Sequence, residues 1–577
     1  MKRCPECRRD YYDDTLLYCL DDGNALLDGP ATPSSGDEPA TAILSVPPAI
    51  AGGLTGTTDE TDVKTAILQP PATAGGSDSS SKHSFSTNRA AKPLAALVVA
   101  VLILVGGFFG YRYFSASGSK QIESIAVMPF ENRNSDADTD YLSDGLAESV
   151  IFRLTQLPDL KVSPTSSVMR YKGKETDIAK IANELGVDAV MTGRLSKRGD
   201  NLNITVELVD ARTNKSLWGE QYERKLSELL TTQREIVTEI VGKLQLKLSG
   251  DSEQKLAKKY TDNPEAYQAY LKGRYFWNRR TAEDLKKAIE QFDLAVQKDP
   301  NYALAYVGLA DSYGIAGNFP GSSVKESIPR AKAYATKALE IDDSLGEAYA
   351  TLGLINALLW NWTEAEKACK RSIELNPNYA TARHWYSRLL NTLGRKDEAL
   401  AEIKRANEID PLSMVIISNL AGFYRERGDY QSAIEQNNKI IEIDPSYFGV
   451  QLTFADIYLD QKRSAEALAA AEKARDIPVI GIGVLGRAYA QLGRRDEALA
   501  VVKTLEEDFA KGNNGAATNI AFVYVLLGDK EKTFEWLEKA FQARDTDLPR
   551  FRLGPTFDPI RDDPRYKDLL KRMNLPE

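Results

Sequence analysis

The residues best suited to chemistry lie at the amino end of the chain. Cys4-Pro-Glu-Cys7 and Cys19-Leu-Asp-Asp22-Gly23 are two short segments separated by eleven residues. A tight turn at each would aim backbone amides at a ligand sulfur, and Gly23 stands where such a turn favours glycine. Three thiolates and the Asp22 carboxylate make a tetrahedral set that zinc accepts. Cys4, Cys7, Cys19 and Asp22 are therefore read as a structural Zn2+ site with no open position for catalysis. The rest of the chemistry is sparse. With only two histidines, His83 and His384, a histidine-based triad or a multi-histidine metal centre has almost no material. Gly481-Ile-Gly483-Val-Leu-Gly486 has the GxGxxG spacing of a dinucleotide-binding turn, but a lone match without a βαβ unit around it is weak. Asp136, Asp138 and Asp140 have the spacing of a calcium loop, yet Tyr141 and Ala147 stand where Gly and Glu are required, so a loop entering a helix cap is the expectation. No P-loop, HExxH, GxSxG or kinase catalytic sequence occurs, and no catalytic or cofactor-binding residue is assigned. The tetrapeptide Thr-Ala-Ile-Leu occurs at 41–44 and 65–68, which makes Thr41 and Thr65 candidate phosphorylation sites or a chance duplication in an Ala- and Thr-rich stretch.

The elements that must position these residues fall into unlike regions. A length of 577 residues implies about three to five units. A composition of 43% hydrophobic and 27% charged residues excludes a wholly disordered or polytopic membrane chain. A net charge of −9 gives no default affinity for phosphate backbones, so no nucleic-acid partner is expected. Residues 1–28 form a compact block around the cysteines, and residues 29–92, rich in Ala, Pro, Ser, Thr and Gly, read as a disordered linker. Residues 93–114 begin with a run free of charge from Pro93 to Tyr111, a helix of about 28 Å that spans a membrane once. Lys82, Arg89 and Lys92 before it weakly favour a cytoplasmic amino terminus, which places the later domains in a periplasm or otherwise outside. Residues 122–250 alternate strand and helix patterns, with a meander expected over 189–224 and a closing helix over 226–248, and form a small α/β domain.

Beyond residue 260 the signal is a period. Pro377, Pro411 and Pro445 recur every 34 residues, the step of a helix–turn–helix repeat. Small residues hold one position in each of about eight units: Gly273, Ala310, Gly353, Ser387, Ala421, Ala455, Gly486 and Ala521. A second position carries Ala288, Ala331, Ala365, Ala399, Ala433, Ala467, Ala498 and Thr533. Small side chains let the helices approach, and aromatics such as Tyr424, Tyr458 and Tyr489 fill the seam. Cys369 stands at a large apolar position and reads as core.

On these residues, 264–545 resemble tetratricopeptide repeats (TPR), about eight of them in an all-α solenoid, with 546–577 as a capping segment. The block at 1–28 resembles a zinc ribbon. Residues 122–250 resemble the FlgO-like domain, similar to the amino-terminal domain of TolB, on the stretches SIAVMPFEN, DYLSDGLAESV, IANELGVDAVMTGRL and ITVELVDARTNKSLW. In bacteria such domains are joined to these repeats behind a cyclase, a kinase or a winged-helix regulator, which implies an envelope or signalling role. The repeat resemblance also implies an inner groove lined by Thr381, His384, Arg388, Asn391, Ser418, Arg425, Asp456 and Arg487. Within it Arg388, Arg425 and Arg487 suit an acidic peptide or a carboxyl terminus, or are scattered solvated charges that Asp456 interrupts. The chain is thus expected to be a multidomain, single-pass protein of a bacterial inner membrane that scaffolds a protein or peptide partner, of unassigned oligomeric state. The alternative is a signalling component that relays partner binding to a cytoplasmic kinase or regulator through the ribbon and linker.

Overall fold

The computed structural model describes residues 121–576 except 135–136, 175–176, 317–323, 448 and 478, together with three short strands near the amino end. Those strands, β1 (Lys2–Arg3), β2 (Asp10–Tyr11) and β3 (Leu27–Asp28), form an antiparallel sheet with β1 in the centre. Cys4, Cys7, Cys19, Asp22, Thr41, Thr65 and the apolar run at 93–114 lie outside the described residues. Among the described residues no helix is long and apolar enough to cross a membrane, and no cluster of His, Cys, Asp and Glu is arranged to hold a metal.

The α/β domain is built on a sheet of order β6-β4-β7-β8-β9. Its strands are β4 (Ser124–Val127), β5 (Glu131–Asn132), β6 (Lys161–Val162), β7 (Ala189–Arg198), β8 (Asn201–Asp210) and β9 (Lys215–Lys225). β4 runs parallel to both neighbours, and β7, β8 and β9 form an antiparallel meander. Ile125, Ala126 and Val127 are fully buried because helices and sheet cover both faces of the central parallel strand, whereas β8 alternates buried Leu202, Ile204 and Val206 with more exposed neighbours. Helix α1 (Ala137–Thr155) buries Leu142, Leu146, Val150 and Leu154. It starts ahead of Asp138 and Asp140, so both lie within a helix and not in the expected loop. Helices α2 (Thr165–Val168), α3 (Ile178–Leu185) and α4 (Leu229–Lys243) complete the domain, and α5 (Gly250–Ala257) leads out of it.

Eight helix pairs follow among the described residues. They are α6 (Pro264–Arg279) with α7 (Ala282–Lys298), α8 (Ala303–Ala316) with α9 (Val324–Ile341), α10 (Gly346–Leu358) with α11 (Trp362–Leu375) and α12 (Ala380–Thr392) with α13 (Lys396–Ile409). The second four are α14 (Met414–Glu426) with α15 (Tyr430–Ile443), α16 (Gly449–Asp460) with α17 (Ser464–Ala474), α18 (Ile480–Gln491) with α19 (Arg495–Ala510) and α20 (Gly515–Leu526) with α21 (Lys530–Gln542). The small residues sit where paired helices touch. A Cβ on Gly273 would come within 2.5 Å of the Phe292 ring, and one on Gly353 within 2.5 Å of Cys369 Sγ. Cys369 is accordingly packed and inert, with burial pushing its thiol up to about 12.

After α21 the chain makes two 3-10 turns, Leu548–Arg552 and Asp558–Ile560, and ends in α22 (Pro564–Arg572). Arg565 and Arg572 of α22 bond Glu531 and Glu538 of α21 at 2.9 and 2.8 Å, which caps the last pair. The tail also reaches back to much earlier repeats, where Trp362 Nε1 donates to the Met573 carbonyl at 2.7 Å.

Candidate partner groove

The first helices of successive pairs pack on one another along the inner face of the array, except that α12 and α14, between the fourth and fifth pairs, barely touch. Over the first three pairs, and at the two ends of the fourth, the array is already in contact with the chain's own α/β domain. Arg274 and Asn278 of α6 donate to the two oxygens of Glu148 on α1 at 2.7 and 2.8 Å. Tyr267 donates to Ser149 Oγ at 2.9 Å, and Gln156 donates to Glu347 of α10 at 3.3 Å. Asn378, just before α12, donates to the carbonyls of Leu157 and Leu160 at 3.2 Å each, and Ser166 and Ser167 donate to Asp410. Burial lowers the Arg274 guanidinium, but Glu148 and Asp311 outweigh it and its pKa ends raised. Burial also raises the carboxyls of Glu347 and Asp410, so this interface holds its charges only because they are paired or hydrogen-bonded.

Pairs four to seven carry the groove residues expected from sequence, and the structure divides them. His384 and Asn391 on α12 are 6% and 5% exposed and lie beneath the surface. Burial holds His384 down to about 3, with Arg388 adding to the effect, so its imidazole is neutral. Asn391 donates to Glu426 at 2.8 Å. Arg425 on α14 and Arg487 on α18 both close on Asp456 of α16, at 2.6 and 2.7 Å, and Arg425 also lies 3.5 Å from Asp460. Burial alone would raise Asp456, but Arg487 and Arg425 outweigh it and bring the carboxyl down to about 2. The two arginines respond unequally. Burial lowers Arg487 despite its partner, whereas Arg425, facing two carboxylates, is raised; burial, with Asp456 adding to it, pushes the Asp460 carboxyl up to about 6 in spite of Arg425. The three arginines therefore do not form a continuous basic stripe, because two of them are neutralised where Asp456 enters. Arg388 is different. It is exposed and has no ion pair among the described residues. Protein packed around it nevertheless lowers its pKa, with Asp547 opposing and Arg550 adding to the lowering.

Those last two residues belong to the tail, which the repeat period cannot reveal. The segment 545–557 runs inward from the eighth pair. Asp545 accepts from Thr518 N and Oγ1 at 3.1 and 2.5 Å, and Phe557 meets Phe522 edge to face at 4.7 Å. At its other side Arg552 donates to the Thr392 carbonyl at 2.6 Å, at the end of the helix that carries Arg388. Leu548, Phe551 and Phe557 are fully buried, and at about 1.5–3 kcal/mol each their burial contributes roughly 4–9 kcal/mol. The segment is thus a fixed wall of the groove.

Comparison with known proteins matches this architecture in two places. Residues 360–413 match the tetratricopeptide repeat family. Residues 120–239 match the HilA/YgeH-like transcriptional regulator, second domain, where the resemblance drawn from sequence was to a FlgO-like domain. The carboxyl-terminal region is therefore a mostly helical, TPR solenoid-like array behind a small α/β domain. A protein of Rhizobium meliloti (strain 1021) named "Putative adenylate cyclase 3" is 31% identical over 247 residues, 42% of each chain. The transcriptional regulator HilA of Salmonella typhimurium is 23% identical over 291 residues, 50% of this chain and 51% of that one. This chain spans about half the length of these curated relatives or less. The solved structure of YrrB, described as a TPR protein with an unusual peptide-binding site, is 25% identical with a TM-score of 0.24, covering 35% of this chain and 96% of that one.

The glycine motif belongs to this packing too. A Cβ on Gly481 would lie 2.0 Å from the Ala474 carbonyl oxygen, on Gly483 2.4 Å from Asn519 Oδ1, and on Gly486 2.8 Å from Val501. All three positions exclude a side chain for reasons of helix contact, and among the described residues only helices surround them.

Proposed function

We propose that this chain is a protein-interaction scaffold in which pairs four to seven of the TPR array receive an acidic segment of a partner protein. One observation carries the reading: Arg388, on the first helix of the fourth pair, is an exposed cation with no ion pair among the described residues. The run at 93–114 would anchor the scaffold in a bacterial inner membrane with its amino terminus cytoplasmic. Cys4, Cys7, Cys19 and Asp22 would hold one zinc ion in a ribbon, and the fit rests on the donor set, three thiolates and one carboxylate, with three short strands bracketing them. The metal would supply structure, and no step of partner capture runs through it. The test is capture of partners by the full chain in detergent. Charge reversal at Arg388, in a variant whose thermal melt matches the unaltered chain, should weaken an interaction that outer-helix reversal at Arg405 leaves intact, and unchanged capture by the Arg388 variant would refute the groove.

A second reading is favoured by the relatives, whose printed names are those of a cyclase and a transcriptional regulator. In it, partner binding is relayed to a cytoplasmic regulator through the ribbon and the threonines Thr41 and Thr65. Phosphorylation mapping at those two positions separates the readings, because a plain scaffold requires no modification there.

A further inference from the structure

Of the glycines in the helices of the array, Gly422 on α14 is the one, among the described residues, whose missing Cβ would meet nothing within 4 Å. Gly273 and Gly486, by contrast, stand against Phe292 and Val501. Glycine inside a helix is less stable than alanine, so a position where no neighbour excludes a side chain calls for another reason. Asn419, Gly422 and Glu426 share one face of α14, and His384, Arg388 and Asn391 share one face of α12. These two faces look at each other. The Asn419 amide reaches His384, and one to two turns further on Asn391 donates to Glu426 at 2.8 Å. Two polar rungs therefore bracket one level of the seam, where Arg388 stands on one side and Gly422 on the other. This is also the seam at which successive first helices barely touch. The level between the rungs is left with a bare backbone on α14 and, on α12, an exposed cation that has no ion pair among the described residues. Val415 continues the Asn419–Gly422 face toward the start of α14 and is 50% exposed, the highest value of any large hydrophobic among the described residues.

We infer that an extended acidic segment of the partner crosses α14 at Gly422, with its backbone against the bare helix, a carboxylate side chain entering between the rungs to Arg388 and an aliphatic side chain on Val415. This crossing rests on the groove reading above and names the point within it where the partner is recognised. Glycine permits the close approach of a second backbone. The Arg388 guanidinium presents a fork matched to a carboxylate. Glu426, at the lower rung, already accepts from Asn391 and lies 4.0 Å from Arg425, so its charge is engaged and does not stand free against the incoming carboxylate.

Fluorescence anisotropy with the full chain in detergent tests it, using labelled, amidated Gly/Ser peptides that carry one Glu and one Leu at separations of one to four residues, and the same set with Gln in place of Glu. At least one Glu peptide is expected to bind saturably, and its Gln counterpart roughly tenfold or more weakly, the worth of one charge-assisted bond. Arg388→Gln should match that loss, Gly422→Ala and Gly422→Leu should each weaken the Glu peptide by a similar factor, and Arg405→Gln on the outer helix α13 should change nothing. With open space around it and a better helix former in place, Gly422→Ala is expected to melt at or above the temperature of the unaltered chain. A lower melt would show that the Cβ meets packed protein and overturns the inference, as does the absence of saturable binding by any Glu peptide. Affinity lost in Arg388→Gln but kept in both glycine variants overturns the crossing at Gly422 while leaving partner capture by the groove, which is read separately, intact.

Discussion

Replacing Asp456 with alanine removes the carboxylate that sits 2.6 Å from Arg425 and 2.7 Å from Arg487. Arg425 keeps Asp460 at 3.5 Å, but Arg487, whose side chain is 8% exposed, is left without an ion partner among the described residues. Leaving one buried charge uncompensated costs about 3–5 kcal/mol, and the surviving Asp460 contact places the expected loss near the lower end, about 3 kcal/mol. Linkage gives an independent figure. The Asp456 carboxyl is brought from 3.8 down to about 2, and a shift of that size is worth about 2–3 kcal/mol. Because the folded value is the lower one, this stability is present above pH 4 and is lost as pH falls toward 2. Urea titration of the full chain in detergent, followed by circular dichroism at pH 7 and again at pH 3, measures both effects. Asp456→Ala should lose about 3 kcal/mol at pH 7 and clearly less at pH 3. A loss below about 1 kcal/mol at neutral pH, or an equal loss at both, would refute the reasoning from the Arg–Asp–Arg network.

Three further outcomes follow from the same geometry. Gly481→Ala drives a methyl group to 2.0 Å from the Ala474 carbonyl and should destabilise the seventh pair by about 1–3 kcal/mol, seen as a lower melting temperature; an unchanged melt would contradict the packing account of the glycines. His384 is held at about 3 against an ordinary 6.5, so only the unfolded chain gains its proton and stability should fall as pH drops below 6.5; in a His83→Gln background, an imidazole NMR signal that titrates between pH 5 and 8 would show that the His384 ring is not buried. Trp362→Phe deletes the donor to the Met573 carbonyl and should cost about 1–3 kcal/mol, read as faster hydrogen exchange in α22; exchange unaltered there would mean the tail is held by other contacts.

The array was legible from sequence because its defining contacts are made by residues that cannot be large. Gly273, Gly353 and Gly486 stand against Phe292, Cys369 and Val501, and any Cβ there collides. The α/β meander was legible for a similar reason, since Leu202, Ile204 and Val206 alternate with polar residues on a one-faced strand. The repeat register also placed His384, Arg388, Arg425 and Arg487 on one face, but it carried no information on which charges meet. Asp456 satisfies two of the arginines across three pairs, and burial removes His384. What was illegible depends on contacts between distant parts of the chain. Glu148 meets Arg274 across 126 residues, and Arg552 meets Thr392 across 160, with no period or motif to announce either. The return of the tail onto α12 was missed because it lies beyond the last repeat, in a segment read as a simple cap.

The central claim is that pairs four to seven receive a partner while pairs one to three are filled from within. A photo-crosslinking amino acid placed at Ser418, half-buried on the inner face of α14, tests it most directly in cells producing the full chain. The account predicts a discrete protein adduct at 418 that Arg388→Glu diminishes, and none from the same probe at Lys404 on the outer helix α13. Equal crosslinking at both positions, or an adduct at 418 indifferent to Arg388, would contradict it.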